Sequence, residues 1–401
     1  MGKKVVLAFS GGLDTSYCAK MLSDGLGHEV HTLIVNTGGF SEEGLEEIEK
    51  RALSLGVASH KAVDETKKFY EKAIRFLVFG NVLKNGTYPL SVSAERLSQA
   101  MAIARYANEI KATAIAHGST GAGNDQVRFD MAFRILCPGK EVITPIRDMR
   151  LSREEEIGYL KAKGVAFDFA KATYSINKGL WGTSVGGKET LQSMGMLPEE
   201  AWPTPITKSG AEEVRLSFVK GELVKINHKH FGHPVDAIHY LQDIAGPFGI
   251  GRDVHVGDTI IGIKGRVGFE AAAPLLIIKA HHALEKHVLT KWQLSWKDQL
   301  GQFYGNWLHE GQYFDPVMRD IEAFLHHSQQ NVTGEVSVTL FPHYFQINGI
   351  HSPYDLMSAK FGKYGEMNLG WTGEDVRGFT KIFANPAIIH HQVMQEANNE
   401  K

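Results

Sequence analysis

The feature that most constrains the fold is an unbroken apolar run near the start of the chain, followed directly by a glycine turn. Residues 5–9 are all apolar, which is typical of a strand buried on both faces of a parallel sheet. Gly11 and Gly12 interrupt this strand, and apolar side chains then recur at helical spacing as far as Gly25. A strand, a tight turn and a helix in this order indicate an α/β fold.

The same order repeats over the first 150 residues. A second strand is predicted near residues 30–35, and Ser41 then caps a helix whose first turns are rich in glutamate. A further helix is predicted over residues 94–110 and a further strand over residues 112–117. Strands that alternate with helices form a parallel sheet, and ligands of such sheets bind beyond the carboxyl ends of the strands.

From about residue 171 the pattern changes. Glycine- and tryptophan-containing segments that follow this point are interpreted as loops, and an α+β arrangement is predicted after them. Its predicted parts are a hairpin of residues 214–219 and 223–227, a helical stretch over about 274–330, and a strand pair of residues 335–340 and 344–348.

Composition excludes several classes of function. The formal net charge of -2, from 43 basic and 45 acidic residues, argues against bulk attraction to nucleic acid or to an anionic membrane. No apolar run reaches the roughly 18 residues of a membrane span, and the start lacks the apolar region of a signal peptide. Cys18 and Cys137 form no CxxC pair, which favours the reducing cytoplasm. Adjacent histidine pairs do not converge on one ion, so no protein metal cluster is predicted.

Residues 10–16, with the sequence SGGLDTS, have the character of a phosphate-binding loop. The glycines allow backbone N–H groups to approach an anion, and the following helix presents its positive end to the same place. Ser10, Thr15 and Ser16 add hydroxyl groups, while Asp14 is interpreted as a Mg²⁺-side residue or as a brace of the loop. The alternative is an ordinary helix cap, which serine and aspartate also favour.

A second glycine-rich segment, residues 116–129, follows the strand predicted at 112–117. Thr120, Asn124, Asp125 and Arg128 offer hydrogen-bond donors, an acceptor and a fixed cation within nine residues. This set suits a zwitterionic substrate whose carboxylate and ammonium groups both need partners. The alternative is a glycine turn that leads into an ion-paired helix.

These motifs resemble a known family. SGGLDTS resembles the pyrophosphate loop of the N-type ATP pyrophosphatases, and HGSTGAGNDQVRFD resembles the signature of the argininosuccinate synthases. The stretches NGTYPLSVS, YSINKGLWGTS, GIGR and GIKGR are similar to further family segments, so the likeness covers nearly the whole chain.

The resemblance implies a ligase that forms a carbon–nitrogen bond in arginine biosynthesis. ATP would adenylate citrulline with Mg²⁺ present, and aspartate would then displace AMP. Its implied ATP-binding residues are Ala8, Phe9, Ser10, Gly11, Gly12, Leu13, Asp14, Thr15, Ser16, Val35 and Gly118. Its implied citrulline-binding residues are Tyr88, Ser93, Asn124, Arg128, Ser175 and Ser184, and those for aspartate are Thr120, Asn124 and Asp125. The implied catalytic residues are Asp14, Asp125 and Arg128.

The sequence also departs from the family pattern. Gly39 stands where many members carry Gln, and Gly257 and Phe269 stand where the family has a Glu and a Tyr that contact citrulline. Glu270 and Asp258 are the nearby candidates to substitute for them. The chain is therefore assigned to a divergent branch.

Three domains are expected from the pattern and the resemblance together. They are a nucleotide-binding domain of the adenine nucleotide alpha hydrolase type over residues 1–170, an α+β synthetase and multimerisation domain over 171–365, and a C-terminal arm over 366–401. The resemblance further implies a homotetramer in which this arm is exchanged. Two alternatives remain: another adenylating enzyme of the same group, and a nucleotide-binding sensor without catalysis.

Overall fold

A computed structural model describes residues 2–165, 174–358, 364–366 and 370–399. Its contacts divide the chain into two compact units, Met1–Tyr354 and Asp355–Lys401. The expected boundary between residues 170 and 171 lies outside the described residues. Among the described helices, none combines the length and the apolar composition that a membrane span requires.

The first unit opens with the parallel sheet that the sequence predicts. Its strands are β1 (Lys4–Ala8), β2 (Glu29–Asn36), β3 (Ser59–Asp64), β4 (Ala114–Ala116) and β5 (Glu141–Ile143). They are ordered β3-β2-β1-β4-β5, and every pair is parallel. The α/β fold class is thereby confirmed. The sequence does not predict the edge strands β3 and β5, because β3 carries mainly polar side chains and β5 has only three residues.

Helices cover both faces of this sheet. The helices of this part of the chain are α1 (Leu13–Lys20), α2 (Glu42–Ser54), α3 (Thr66–Phe69), α4 (Arg75–Phe79), α5 (Ser91–Glu109), α6 (Asp125–Leu136), α7 (Pro145–Met149) and α8 (Arg153–Ala162). Of these, α4 packs against later helices of the first unit and not on the sheet. Successive residues of β1 face opposite sides, so Leu7 packs into the core beside α1 and α8, whereas Val6 packs beside α5 and α6. Ser41 caps α2 as predicted, because its side chain accepts a hydrogen bond from Gly44 N.

The interpretation of the region after residue 171 as loops is wrong. It contains strands β6 (Ser175–Gly179) and β7 (Gly182–Gly186). Later in the chain follow β8 (Glu212–Val219), β9 (Glu222–Ile226), β10 (Lys229–His230), β11 (Arg252–Asp258), β12 (Lys264–Glu270), β13 (Gly334–Phe341) and β14 (Tyr344–His351). One antiparallel sheet has the order β11-β12-β7-β6 and another β10-β9-β8-β13-β14. The glycine-rich β7 is a strand because it pairs with the distant β12, a contact that local propensity does not reveal.

Further helices complete the two units. The first unit contains α9 (Pro234–Ala245), α10 (Ala272–Val288), α11 (Lys291–His309) and α12 (Pro316–Ser328). The predicted helical stretch over 274–330 is therefore three helices. The second unit contains α13 (Gly373–Phe383) and α14 (Asn385–Asn399).

A buried ion pair anchors α11, whose last residue reaches the site described below. Lys297 Nζ lies 2.9 Å from Glu285 Oε2 on α10 and donates to the Phe79 carbonyl at 3.2 Å. Gln329 Nε2 donates to the other oxygen of Glu285 at 2.8 Å. Both charged side chains are completely buried. Asp298 Oδ1 also lies 3.3 Å from Lys297 Nζ, whereas the Glu285 carboxylate depends on Lys297 for its compensating charge.

We expect Lys297→Met to lower the free energy of unfolding by about 3–5 kcal/mol, because it leaves the Glu285 carboxylate buried without a cation. Lys279 on α10 is exposed, so Lys279→Met is the matched control. Its free energy of unfolding should change by no more than about 0.5 kcal/mol. Urea unfolding of the three proteins measures both effects. Equal losses in the two variants would contradict the role of the pair.

Candidate active site

A single cavity of about 850 Å³ lies at the carboxyl ends of β1, β2 and β4. Residues of the β6–β7 and β11–β12 hairpins also line it, as does His309 at the end of α11. Of the residues that the sequence assigns to ATP, citrulline and aspartate, all except Gly11 and Ser16 line this cavity. The structure therefore brings together side chains from segments far apart in the chain.

The phosphate loop ends in a helix whose N-terminus carries no side-chain cap. Gly12 occupies the N-cap position of α1 and has no side chain that could accept from the N–H groups of the first turn. Ser10 Oγ instead lies 3.2 Å from Thr15 Oγ1, which brings these two hydroxyls together beside the first turn. Ser10, Gly12, Leu13 and Thr15 all line the cavity. Uncapped N–H groups and hydroxyls in this arrangement form a site for an anion such as phosphate.

Glycine is required at two places: where the phosphate loop turns, and where the segment that follows β4 packs against this loop. Gly11 has φ +75°, and its carbonyl accepts a hydrogen bond from Arg51 Nη1 at 2.6 Å. Gly118, which follows β4, lies so close to the loop that a Cβ there would be 3.3 Å from the Asp14 Cβ. The two glycine-containing turns thus pack directly on each other. Ser16 is fully buried behind the loop, away from the cavity lining.

Asp14 lies at the start of α1 and lines the cavity. The charge of Asp14 acts on Glu156 of α8. Burial and this charge together raise the pKa of Glu156 to about 8. Glu156 is therefore largely protonated at neutral pH and adds no full negative charge beside the phosphate loop.

The second glycine-rich segment is fixed by hydrogen bonds. Asn124 Oδ1 accepts from Ile260 N at 2.8 Å, which ties the segment to the β11–β12 turn. Near its start, His117 Nε2 lies 2.9 Å from Asp130 Oδ1, and Arg147 Nη1 donates to the other oxygen of Asp130 at 2.9 Å. Thr120 is exposed and lines the cavity. Of these side chains, Thr120 is the one most open to a ligand.

Asp125 and Arg128 belong to a charged network. Asp125 accepts from Arg96 Nε at 2.8 Å through one oxygen and from Arg128 Nη1 at 2.9 Å through the other. Burial opposes ionisation of Asp125, but Arg96 and Arg128 outweigh it and lower the pKa of its carboxyl. Arg96 also donates to Asn177 Oδ1 at 3.0 Å, which joins α5 to β6. Sequence reasoning missed Arg96, because its position on α5 carries no motif.

Most of the hydrogen-bond donors of Arg128 bind acceptors within the protein. Its Nε and Nη2 donate to the His309 carbonyl at 3.0 and 2.8 Å, and Nη2 also donates to Ser93 Oγ at 3.1 Å. His309 Nδ1 lies 2.9 Å from Ser93 Oγ and 3.3 Å from Arg128 Nη2. Because a guanidinium only donates, Nδ1 is an acceptor and the ring hydrogen is on Nε2. Arg128 therefore orients Ser93 and His309.

Two histidines that sequence reasoning missed line the same end of the cavity, namely His255 and His309. Burial, together with the nearby charges of Arg128 and Lys84, lowers the pKa of His309 to about 3. The His255 ring stacks on Tyr88, with 5.0 Å between the ring centroids. Neither histidine lies in a motif, so only the pairing of distant elements could reveal them.

The remaining citrulline candidates also line the cavity. The Tyr88 hydroxyl accepts from Val92 N at 3.1 Å and from Ser91 Oγ at 3.3 Å, so its own hydrogen remains for a further acceptor. Ser175 and Ser184 lie on β6 and β7. Hydroxyls from several segments are thus available to a ligand in this cavity.

The family departures have visible consequences. At Gly39 a Cβ would lie 1.9 Å from the Lys178 carbonyl oxygen, so β6 packs where a larger side chain would project. Of the two candidates to substitute for the family glutamate, Glu270 is buried outside the cavity lining and accepts from Thr204 Oγ1 at 2.6 Å. Asp258 does line the cavity, and its carboxylate lies 2.7 Å from Lys264 Nζ.

A parallel sheet with an uncapped helix N-terminus in a polar cleft at its carboxyl edge defines a nucleotide-binding α/β protein. Residues 4–166 match the arginosuccinate synthase N-terminal HUP domain, and residues 174–390 match the arginosuccinate synthase C-terminal domain. The chain belongs to the argininosuccinate synthase family, which confirms the resemblance seen in its motifs.

Individual argininosuccinate synthases are similar to this chain along nearly their whole length. The argininosuccinate synthase of Methanocaldococcus jannaschii is 37% identical over 393 residues, which cover 97% of this chain and 98% of the relative. That of Xanthomonas axonopodis pv. citri is 38% identical, with 98% and 95% covered. That of Sulfurisphaera tokodaii is 33% identical, with 98% and 100% covered.

The lowered pKa of His309 predicts how stability depends on pH. Below about pH 6.5 the unfolded chain protonates this histidine, whereas the folded protein resists protonation until about pH 3. Stability is therefore lost as pH falls, and His309 contributes about 2 kcal/mol of the loss between pH 7 and pH 5.

We expect His309→Asn to remove that part of the loss, because Asn retains an acceptor near Nδ1 but does not titrate. Urea unfolding at pH 7 and pH 5 measures the difference. His239→Asn, at an exposed position on α9, serves as the control and should follow the wild type. A His309→Asn variant with the wild-type pH dependence would disprove the assignment.

Proposed function

We propose that the protein joins citrulline to aspartate at the expense of ATP, releasing AMP, diphosphate and argininosuccinate. The observation that carries this proposal is the single cavity into which the uncapped phosphate loop and the Tyr88–Ser93–Arg128 cluster both open. A nucleotide and an amino acid can therefore meet without leaving the site. Membership of the family supports the same reaction.

In the first step the ureido oxygen of citrulline attacks the α-phosphorus of ATP. The bond to the β-phosphate oxygen breaks, and diphosphate leaves with that electron pair. The N–H groups at the start of α1 and the Ser10 and Thr15 hydroxyls are placed to stabilise its negative charge. The product is a citrullyl-adenylate.

In the second step the α-amine of aspartate attacks the activated ureido carbon. The carbon–oxygen bond to AMP then breaks, and the amine loses one proton. Thr120 and Asn124 line the same cavity as Tyr88 and the phosphate loop, which supports the binding of aspartate beside both other substrates. Catalysis consists of positioning and charge stabilisation, because AMP turns the ureido oxygen into a good leaving group.

Mg²⁺ fits the donor set beside the phosphate loop. Among the described residues no group of three or more His, Cys, Asp or Glu side chains forms a metal site. A Mg²⁺ ion that arrives with ATP needs only one or two protein carboxylates, since phosphates and water supply the other ligands. Asp14 would hold the ion, which would offset charge on the phosphates.

We also propose that the second unit serves as an arm that binds other copies of the chain in a homotetramer. Helix α13 exposes apolar side chains, including Phe379 at 60% and Ile382 at 71% of their surface. An apolar face of this kind indicates a surface that binds a partner.

The free, buried thiols of Cys18 and Cys137 agree with a reducing cytoplasmic location.

The reaction is tested with ATP labelled at the α-phosphate. We expect labelled AMP and no labelled ADP, in equal amount to the argininosuccinate formed. Without citrulline no AMP should accumulate, because citrulline is the attacking nucleophile. Labelled ADP, or nucleotide binding with no turnover, would refute the proposed reaction.

The arm is tested by light scattering after size-exclusion chromatography. Phe379→Asp combined with Ile382→Asp should convert the tetramer to smaller species, because the charges prevent burial of the apolar face. Lys381→Glu, on the opposite side of α13, should leave the mass unchanged. A tetramer in all three proteins would argue against the arm as the interface.

A further inference from the structure

His255 is a cavity residue that the proposed reaction has not yet used. It lies on β11 and is 6% exposed. Its ring is stacked on that of Tyr88, with an interplanar angle of 26°. Tyr88 also contacts Phe269, whose ring centroid is 5.3 Å away. His255 is thus held firmly at the end of the cavity where Tyr88, Ser93 and His309 meet.

Gly257 makes the position of this ring possible. A Cβ at Gly257 would lie 2.6 Å from His255 Nε2. The two residues are two apart on one strand and therefore face the same side. The strand itself is fixed, because Asn85 Nδ2 donates to the Val256 carbonyl at 3.0 Å. The imidazole occupies the space that any side chain at residue 257 would fill.

His255 has a ring nitrogen at the cavity wall with no partner among the described residues. Its Nδ1 is closed to solvent and unpaired, whereas Nε2 lies beside Gly257, where no side chain intervenes. Burial lowers the pKa of this histidine, and Lys84 lowers it further against the opposing effect of Asp253. The ring is therefore neutral at physiological pH and has one acceptor nitrogen, and Nε2 is the nitrogen that a ligand can reach.

Two of the carboxylates that line the cavity are engaged inside the protein. Asp125 accepts from two arginines, and Glu95 accepts from Thr37 Oγ1 at 2.7 Å and from Gln99 Nε2 at 2.8 Å. Asp14 belongs to the phosphate loop. Asp258 is paired with Lys264, and their side chains are 63% and 71% exposed, so Asp258 is the carboxylate that competes with His255 for an ammonium group.

We propose that His255 binds the α-ammonium group of citrulline as a neutral hydrogen-bond acceptor, in a place cleared by Gly257. This inference rests on the proposed function and specifies how its amino-acid substrate is recognised. No proton is transferred: the ammonium donates to the ring, and the ureido group remains free to reach the α-phosphate. Substrates without the α-amino group lose this contact.

The test compares citrulline with 5-ureidopentanoate, which lacks only the α-amino group. His255→Leu retains apolar bulk but removes the acceptor, whereas His255→Gln retains an acceptor. We expect His255→Leu to raise the KM for citrulline about 10- to 100-fold, the range of a hydrogen bond to a charged group. The KM for 5-ureidopentanoate should change less than about threefold, and His255→Gln should restore most of the citrulline affinity.

Gly257→Ala provides a second test, since its methyl group displaces the ring without removing it. The same selective rise in the KM for citrulline is expected. Val256→Ala on the opposite face of the strand is the matched control, and the KM for ATP should be unchanged in all variants. Should His255→Leu fail to fold, Gly257→Ala alone decides the outcome.

The results separate two kinds of failure. Citrulline-dependent diphosphate release in the wild type, with equal losses for citrulline and 5-ureidopentanoate in His255→Leu, would leave the proposed function standing and overturn the role of His255. A wild type that releases no diphosphate with citrulline and aspartate would overturn both.

Discussion

The pairing of β1 with β4 is the constraint on which the site depends. These strands are more than 100 residues apart in sequence, yet Leu7 and Ala116 are partners in the parallel ladder. Between them the strand order reverses direction, since β2 lies on one side of β1 and β4 on the other. A crevice forms at such a switch point because the loops that follow the two strands lead to opposite faces. Gly118 allows the two turns to pack together at that crevice.

A charged network then gives the crevice a fixed shape. Asp125 accepts from Arg96 and Arg128, and Arg128 continues to the His309 carbonyl and to Ser93. Ionised groups at such depth are costly unless their hydrogen bonds are complete, so each member of this network constrains the others. The network spans α5, α6 and α11. It therefore connects the nucleotide-binding sheet to the later part of the first unit.

Sequence reasoning recovered what local chemistry encodes. The apolar run of β1, the glycine turn and the cap at Ser41 each follow from neighbouring residues. It failed where long-range pairing decides, as in β7, whose glycines indicate a loop until β12 pairs with it. The same limit explains the missed histidines. His255 reaches the cavity through the strand pairing of β11 with β12, and His309 through the anchoring of α11 by Lys297.

The charge state of the Tyr88 end follows from its surroundings. Burial lowers the pKa of both imidazoles, those of His255 and His309, Lys84 lowers it further at both, and Arg128 does so at His309. The two rings are therefore neutral. A neutral acceptor costs less to desolvate than a carboxylate and still binds an ammonium donor. The proposed role of His255 follows this logic, because a neutral ring beside Lys84 and Arg128 accepts from an ammonium group without first being paired by those cations.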